Sequence, residues 1–313
     1  MPPVPSRVVT LVPAYNAEAF VAHAVRSVLA QTLGAFHVVV VDDGSTDGTA
    51  AAARTFADPR VTVLTTPNGG PSRARNVGAR VAPAAEHLAF LDADDLWDSG
   101  KLAAQVARLD AEPDLVAVGC YMRYVSATGT VLGRAGQPVG DGDRARIAHG
   151  ELFPFPMSSL VVRRAAFDAV GGFDEELGRV GSEDLDLLAR LARVGRVACV
   201  PEVLGAYRVH AGSAMARHRR RINQAARFVR ARLAAADAGR ALTWDEFAAG
   251  YRPGWRDRWT DLVEVLYRSG ALAYGERRFA RACAFGALAL TIGPRYTARR
   301  LGTQWARGAG GAA

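Results

Sequence analysis

His87-Leu-Ala-Phe-Leu-Asp92-Ala-Asp94-Asp95 sets a short, mainly apolar run against three carboxylates packed into four positions. Residues 87–91 predict a buried strand, and the acids emerge together where that strand ends. Carboxylates this close repel one another, which raises their pKa values or opens the turn unless a cation sits among them. Hard oxygen ligands suit Mg²⁺ or Mn²⁺, and Mg²⁺ held by one or two carboxylates completes its shell with water and substrate phosphate. The segment therefore points to a metal holding a diphosphate, against the plainer alternative of a solvated acidic turn.

Outward from this point the chain alternates strand and helix. Residues 7–12 are a short β-branched run. Asn16 is expected to cap a helix carrying Phe20, Val21, Val25, Val28 and Leu29 on one face. Residues 36–41 form a continuous apolar strand of the kind buried inside a parallel sheet. Helices are expected over 46–56, 72–81 and about 99–109, and strands over 60–64 and about 115–120. This repetition predicts a doubly wound α/β sheet, in which ligands bind beyond the carboxyl ends of the strands. Three polar clusters, at 12–16, 42–47 and 92–95, fall at such ends.

Each cluster has its own chemistry. Pro13 stops the first strand's ladder and Tyr15 is placed to lie against a planar ring. In Asp42-Asp43-Gly44-Ser45-Thr46-Asp47 one carboxylate is suited to accept a pyrimidine imide N–H or ribose hydroxyls, while Gly44 lets backbone approach closely. Asn68-Gly-Gly-Pro-Ser-Arg73-Ala-Arg75-Asn76 puts a flexible turn before a helix start with two arginines, and both features favour phosphate. Taken singly, each is also ordinary turn or capping chemistry.

Further along, Gly171-Gly-Phe-Asp-Glu precedes Gly181-Ser-Glu183-Asp184-Leu-Asp186. Ser182 reads as an N-cap, Leu185, Leu188 and Leu191 recur at helical spacing, and Gly195 ends the helix. Glu183 and Asp184 fall in the first turn, where the helix dipole favours their ionised forms. An ionised carboxylate there can take a proton from an attacking hydroxyl. Asp186 is expected to face solvent or to position the helix.

Bulk properties frame these motifs. The chain has 313 residues, half of them hydrophobic, enough for one large domain or a core domain with an appendage. Cys120, Cys199 and Cys283 lack metal or redox spacing and read as small buried hydrophobes in a reducing compartment. The proline-rich stretch 1–7 lacks an apolar signal core. No stretch approaches the roughly 20 apolar residues of a membrane span. Residues 1–214 carry 20 Lys+Arg against 24 Asp+Glu, whereas residues 215–313 carry 19 Arg against 7 acids. The nets, −4 and +12, suggest a boundary near 214. Arg217–Arg221 opens a long helix, 271–292 pairs small residues with an apolar face, and Arg295, Arg299 and Arg300 follow. The basic half suits an anionic surface electrostatically, or forms solvated helix faces.

In order and spacing, Val-Pro-Ala-Tyr-Asn, Val-Asp-Asp-Gly-Ser-Thr-Asp-Gly-Thr, Asn-Gly-Gly-Pro-Ser-Arg-Ala-Arg-Asn-Val-Gly and Leu-Asp-Ala-Asp-Asp resemble glycosyltransferase family 2 over roughly residues 7–210. The resemblance implies a GT-A-type fold, a doubly wound mixed sheet flanked by helices, here with a helical C-terminal appendage. It implies a nucleotide-diphosphate sugar donor, a divalent metal (Mg²⁺ or Mn²⁺) and inversion at the anomeric carbon. It places Pro13, Ala14, Tyr15, Glu18 and Asp43 around the base, and Arg73 or Arg75 near base or phosphate. Asp92, Ala93 and Asp94 face the donor, with Asp94 toward the sugar or ribose and Asp95 on the metal. Asp184 becomes the catalytic base beside Glu183. The segment Tyr207–Ser213 resembles an element that closes over the diphosphate, with His210 a candidate metal or phosphate contact. Trp97 is read as stacking on a sugar ring or packing in the core, and residues 153–159 border the acceptor.

The resemblance implies transfer to a hydroxyl of a glycan or lipid-linked glycan, with UDP the favoured nucleotide and dTDP the nearest competitor. The expected setting is cytoplasmic, with peripheral contact at the inner face of a membrane through the basic C-terminal helices and no nucleic-acid partner. Alternatives are a polyprenyl-phosphate sugar synthase, which lacks support from membrane spans, and a non-catalytic sugar-nucleotide-binding protein, against which the intact acids argue. A pyrophosphorylase would need a Gly-rich Arg/Lys phosphate loop in the opening segment, and a nicotinamide enzyme a Gly-x-Gly-x-x-Gly after the first strand; neither is present.

Overall fold

The continuous apolar run at 36–41 becomes a strand whose successive valines serve two cores. Val38 and Val40 pack on one face of the sheet, and Val39 and Val41 on the other. Both faces are covered, which is why the run does not alternate with polar residues. In this computed structural model, residues 6–81, 84–210, 212, 219–275, 278–295 and 297–298 are described. Arg217, Ser213, Arg299 and Arg300, named above, lie outside them.

Nine strands form one sheet among the described residues: β1 (Val8–Ala14), β2 (Phe36–Asp42), β3 (Val61–Thr65), β4 (His87–Phe90), β5 (Leu96–Trp97), β6 (Leu115–Ser126), β7 (Val131–Ala135), β8 (Val161–Arg163) and β9 (Arg196–Val209). Their spatial order is β3-β2-β1-β4-β8-β6-β9-β5, with β7 on β6. β3, β2, β1 and β4 run parallel; β8 then pairs antiparallel with β4 and with β6. The sheet is thus mixed, as the GT-A-type expectation requires. Because β2, β1 and β4 are parallel neighbours in register, with Ala14 opposite Asp42 and Leu11 opposite Phe90, their carboxyl ends open on one edge. That edge carries the three polar clusters.

Helices α1 (Val21–Leu29) and α4 (Lys101–Ala111) contribute Val21, Val25, Val28, Leu102, Val106 and Leu109 to one core. Between them in sequence lie α2 (Thr49–Arg54) and α3 (Pro71–Val81). α5 (Asp143–Ala148), α6 (Arg164–Ala169), α7 (Leu177–Val180) and α8 (Glu183–Val194) follow. α8 adds Leu187, Leu188 and Leu191 to the other core, with Ala74 and Ala79 of α3.

Several local expectations shift. Asn16 does not cap α1, which starts five residues later behind Phe20 without a side-chain cap. Asn16 instead adopts a left-handed backbone (φ 48°), which Asn tolerates, and its side-chain oxygen accepts the Thr46 N–H at 2.8 Å. The helix expected over 46–56 shortens to α2 because Asp47 turns back to accept the Thr49 N–H at 3.0 Å. Cys120 is buried but Cys283 is exposed, so that thiol is no core hydrophobe.

The chain divides into two compact units: residues 1–122 with 135–207, and residues 123–134 with 208–313. The second contains α9 (Arg219–Asp237), α10 (Trp244–Gly250), α11 (Trp255–Gly275) and α12 (Phe279–Ile292), so 271–292 is not one segment but parts of two helices. Phe228 of α9 packs edge-on against Trp244, ring centroids 5.4 Å apart. Arg227 pairs with Asp261 at 2.8 Å, joining α9 to α11.

Lys101, the chain's one lysine, is fully buried at the start of α4. Its ammonium sits 3.9 Å over the Trp97 ring and has no hydrogen-bond partner among the described residues. Burial pushes its pKa down to about 8. An unfolded lysine holds its proton to about pH 10.4, so the unfolded state binds more protons above pH 8 and stability rises with pH through that window. Lys101→Met, similar in length, is expected to stabilise the protein at pH 7 by about 2 kcal/mol, the cation–π contact having returned part of the desolvation cost. The rise between pH 8 and 10 should disappear in the variant. Urea midpoints across a pH series check this, and identical pH slopes in variant and parent would refute it.

Candidate active site

The carboxyl ends of β1 and β2 are stapled together by side chains. Ser45 Oγ accepts the Asn16 N–H at 3.0 Å, Thr49 Oγ1 the Ala17 N–H at 2.8 Å, and a Glu18 carboxylate oxygen the Gly48 N–H at 3.0 Å. Ala14 is buried, and its carbonyl accepts the Asp43 N–H at 2.8 Å. Pro13 is half-buried beside it, while Tyr15 projects outward and is exposed. Asp43 is buried, and its two carboxylate oxygens accept the backbone N–H groups of Gly69 and Gly70 at 2.9 and 2.8 Å. Gly44 is needed between them: it sits at φ 73°, and a Cβ there would lie 2.8 Å from the Asn68 nitrogen.

The loop so anchored leads into α3, and its two arginines part company. Arg73 stays at the loop, donating to the Pro67 carbonyl at 3.2 Å. Arg75 turns inward and is only 4% exposed. One end of its guanidinium meets Asp92 at 2.6 Å and the other meets Glu183 at 3.2 Å, while its plane lies 5.1 Å from the centre of the Phe173 ring. A planar fork with several donors can bridge two carboxylates in this way. Attraction to both acids keeps Arg75 charged despite burial. The carboxyl end of β4 and the start of α8 therefore meet on one side chain, although they are 91 positions apart in sequence.

Asn76, one residue on from Arg75, secures the second partner's approach. Its side chain donates to the Phe173 carbonyl at 2.9 Å and accepts the Phe173 N–H at 3.0 Å. This pairing explains the Gly171-Gly-Phe-Asp-Glu stretch, which brings α8 over α3. Ser182 does sit at the N-cap of α8, but in a left-handed conformation (φ 65°) and without a side-chain capping bond. A non-glycine residue held there stores backbone strain next to the acids that follow, a pattern that clusters at functional sites. Asp184 accepts the Leu185 N–H at 2.7 Å. Burial, then the adjacent Glu183 carboxylate, push its pKa up to about 7. Burial also raises Glu183 above the usual carboxylate range, although Arg75 opposes this. Asp186 is buried and paired with Arg190 at 2.6 Å, so it positions α8 and does not face solvent.

In the run 92–95, Asp92 is paired with the Arg75 guanidinium. Ala93 is buried, Asp94 half-buried and Asp95 buried, with the Asp95 N–H closing a turn onto the Asp92 carbonyl at 3.0 Å. Among the described residues no three His, Cys, Asp or Glu side chains gather as a metal cage. The donor set nonetheless fits a hard cation that arrives with its own phosphate oxygens, which needs only one or two protein carboxylates. His210 belongs to the second compact unit.

Trp97 is a core residue and not a stacking platform: it is buried and its indole N–H donates to the Ser158 carbonyl at 2.6 Å. Ser158 falls in the stretch 153–159 expected beside the acceptor, where the sequence marks no individual role for it. Its hydroxyl accepts the Asp92 N–H at 3.1 Å, so one serine braces the acidic turn from two sides. Gln105 supports it from below, donating to the carbonyls of Val118 and Ser159 at 2.7 and 2.8 Å. Nothing in a lone Ser or Gln marks such a role.

The model of the family described as Glycosyl transferase family 2 matches residues 10–171. The succinoglycan biosynthesis protein ExoO of Rhizobium meliloti (strain 1021) is 32% identical over 218 residues, 65% of this chain and 61% of that protein. The UDP-Glc:alpha-D-GlcNAc-diphosphoundecaprenol beta-1,3-glucosyltransferase WfgD of Escherichia coli is 36% identical over 100 residues, 32% of this chain and 39% of that protein. The chain spans less than two thirds of the length of these curated relatives. The solved mannosyltransferase PcManGT of Pyrobaculum calidifontis, in complex with GDP-Man and Mn²⁺, matches with a TM-score of 0.56 at 25% identity, covering 95% of this chain and 79% of that one.

Proposed function

The chain belongs to glycosyl transferase family 2, and on that premise we propose that it moves a sugar from a nucleotide-diphosphate donor to an acceptor hydroxyl with inversion at the anomeric carbon. The observation that carries this reading is the meeting of Asp92, Glu183 and Asp184 around Arg75, which sets a donor-facing strand end against a poised proton acceptor. Asp184 takes the proton of the acceptor hydroxyl as its oxygen attacks the anomeric carbon from the face opposite the departing diphosphate. Glu183, held by Arg75, keeps the start of α8 turned toward Asp92. Tyr15 offers an exposed ring for the base. Asp43 fixes the Gly69–Gly70 turn and retains lone pairs for an imide N–H, with Pro13, Ala14 and Glu18 holding the strand end and Arg73 at the loop's outer side.

Asp94 and Asp95 are the carboxylates that would hold Mg²⁺ or Mn²⁺. When bound, the ion offsets the charge that develops on the leaving diphosphate. The Mn²⁺ bound by PcManGT supports that choice. A UDP-sugar donor is supported by the UDP-Glc in the name of WfgD, and a glycan or lipid-linked glycan acceptor by the names of WfgD and ExoO, which also point to polysaccharide biosynthesis.

Asp95→Asn tests the donor side. Calorimetry with UDP should show Mn²⁺ tightening binding by at least tenfold in the parent, about 1.4 kcal/mol, and no such gain in the variant. An unchanged Mn²⁺ effect in the variant would remove Asp95 from the metal site. A panel of nucleotide sugars scored by metal-dependent thermal stabilisation identifies the donor.

A further inference from the structure

We propose that the outer end of α11 seats this protein on an anionic lipid surface. Trp255, Trp259 and Leu262 recur at the spacing of one helix face and are 72%, 48% and 42% exposed. Farther along the same helix Val263, Leu266 and Ala273 are buried, whereas in the first two turns Arg227 engages Asp257 and Asp261 and the face with the two indoles stays exposed. The flanking positions are basic. Arg256 and Arg258 are both exposed, and the Arg256 guanidinium lies 5.4 Å from the centre of the Trp255 ring.

The neighbouring helix α12 also exposes apolar side chains. Its sequence, FARACAFGALALTI, is apolar nearly all round, yet Ala289 is its one buried residue and Phe279, Leu288 and Leu290 are exposed. A helix apolar on every side is normally enclosed by its surroundings. At 14 residues it is too short to cross a bilayer, and no described helix is long and apolar enough to do so. The surface therefore lies on a membrane and does not span it.

Charge selects the occupant. Residues 215–313 hold 19 arginines and 7 acids. Asp257 and Asp261 are engaged by Arg227, Glu264 by Arg219 and Arg268, and Glu246 closes a capping box with Thr243. More than half of the acids are thus committed inside the unit, and the surplus is positive. Bulky indoles flanked by guanidinium groups match the headgroup boundary: the rings enter the acyl edge while arginine forks onto lipid phosphate. None of these residues belongs to the proposed sugar-transfer site, so the two readings stand or fall separately.

The test sediments the full chain with vesicles of phosphatidylcholine alone and with vesicles containing roughly 30% phosphatidylglycerol. The parent should pellet with the anionic vesicles, remain in the supernatant with the neutral ones, and be released as salt rises from about 0.1 to 0.5 M. Trp255→Ser with Trp259→Ser should weaken partitioning by about tenfold or more while the melting temperature and UDP binding stay unchanged. Arg256→Gln with Arg258→Gln should weaken it and flatten its salt dependence. A parent that ignores both vesicle types overturns the proposal. So does a double-serine variant that binds like the parent, or a parent dimer in solution that the double-serine variant abolishes, which would give this face to a second copy.

Discussion

Asp184→Asn is expected to lower kcat for sugar transfer by about 10²- to 10⁴-fold, the usual span for a general base, with nucleotide-diphosphate affinity held within a factor of about two. Asparagine keeps the side chain's size and the carbonyl that accepts the Leu185 N–H, so α8 starts as before and only the proton acceptor is lost. The parent's pH profile should carry the same residue's signature. A base must be ionised, and Asp184 is pushed up to about 7 by burial and by Glu183, so kcat/KM should climb through neutrality and level off above it. The variant's residual rate should lack that limb.

Stability runs the other way. The folded carboxyl has a higher pKa than the unfolded one, near 3.9, so the folded state binds more protons between those values. The stability this group contributes is complete below the unfolded pKa and is lost as pH rises through 7. Asp184→Asn should therefore be more stable than the parent at pH 8, and the gap should close below about pH 4. Initial rates, calorimetry and melting curves across pH decide the matter; transfer at the parent's rate by the asparagine variant would strip Asp184 of its role.

Arg75→Met should destabilise the protein by about 3–5 kcal/mol, the scale for removing one member of a buried ion pair. The guanidinium is 4% exposed and spans Asp92 at 2.6 Å and Glu183 at 3.2 Å. Without it, Asp92 and Glu183 both lose their counterion, and burial already disfavours the charge on Glu183. Adding Glu183→Gln to Arg75→Met should return part of the loss, because one of the stranded charges is gone. The double-mutant cycle in urea should accordingly show a coupling of roughly 1–3 kcal/mol between the two positions. Arg75→Lys should rescue little, since a single ammonium cannot reproduce the fork that holds both acids. Strict additivity would mean that Arg75 and Glu183 act separately.

These expectations differ from what the motif alone suggested for Arg75, and the difference has a physical origin. An arginine in the first turns of a helix, after a glycine-rich loop, reads equally well as a phosphate ligand or as an internal counterion. Only its partners distinguish the two, and those partners come from 17 and 108 positions away. The strands were legible because β2 and β4 lie inside a sheet and must be apolar on both faces. The clustering of polar ends followed from parallel pairing. Residues that serve through a single long-range bond left no periodic trace. Asn16 looked like a cap because caps and loop staples use the same side chains, and Trp97 stayed open between rim and core because its place in the core depends on a Ser158 carbonyl 61 positions later. Lys101 is the sharpest case, since a lysine in the first turn of an amphipathic helix carries every local mark of exposure.

The assignment of residues 123–134 to the same compact unit as residues 208–313 has a practical edge for engineering. The polypeptide passes from one unit to the other at three points, so no single cut liberates either half. Truncation after Tyr207 would leave a twelve-residue orphan attached to the catalytic part, deprived of the helices it belongs with. Chimeras meant to exchange the rear of this protein for that of a relative must transplant both segments together, because the second body is assembled from stretches that a 73-residue passage of the first unit, 135–207, separates in sequence.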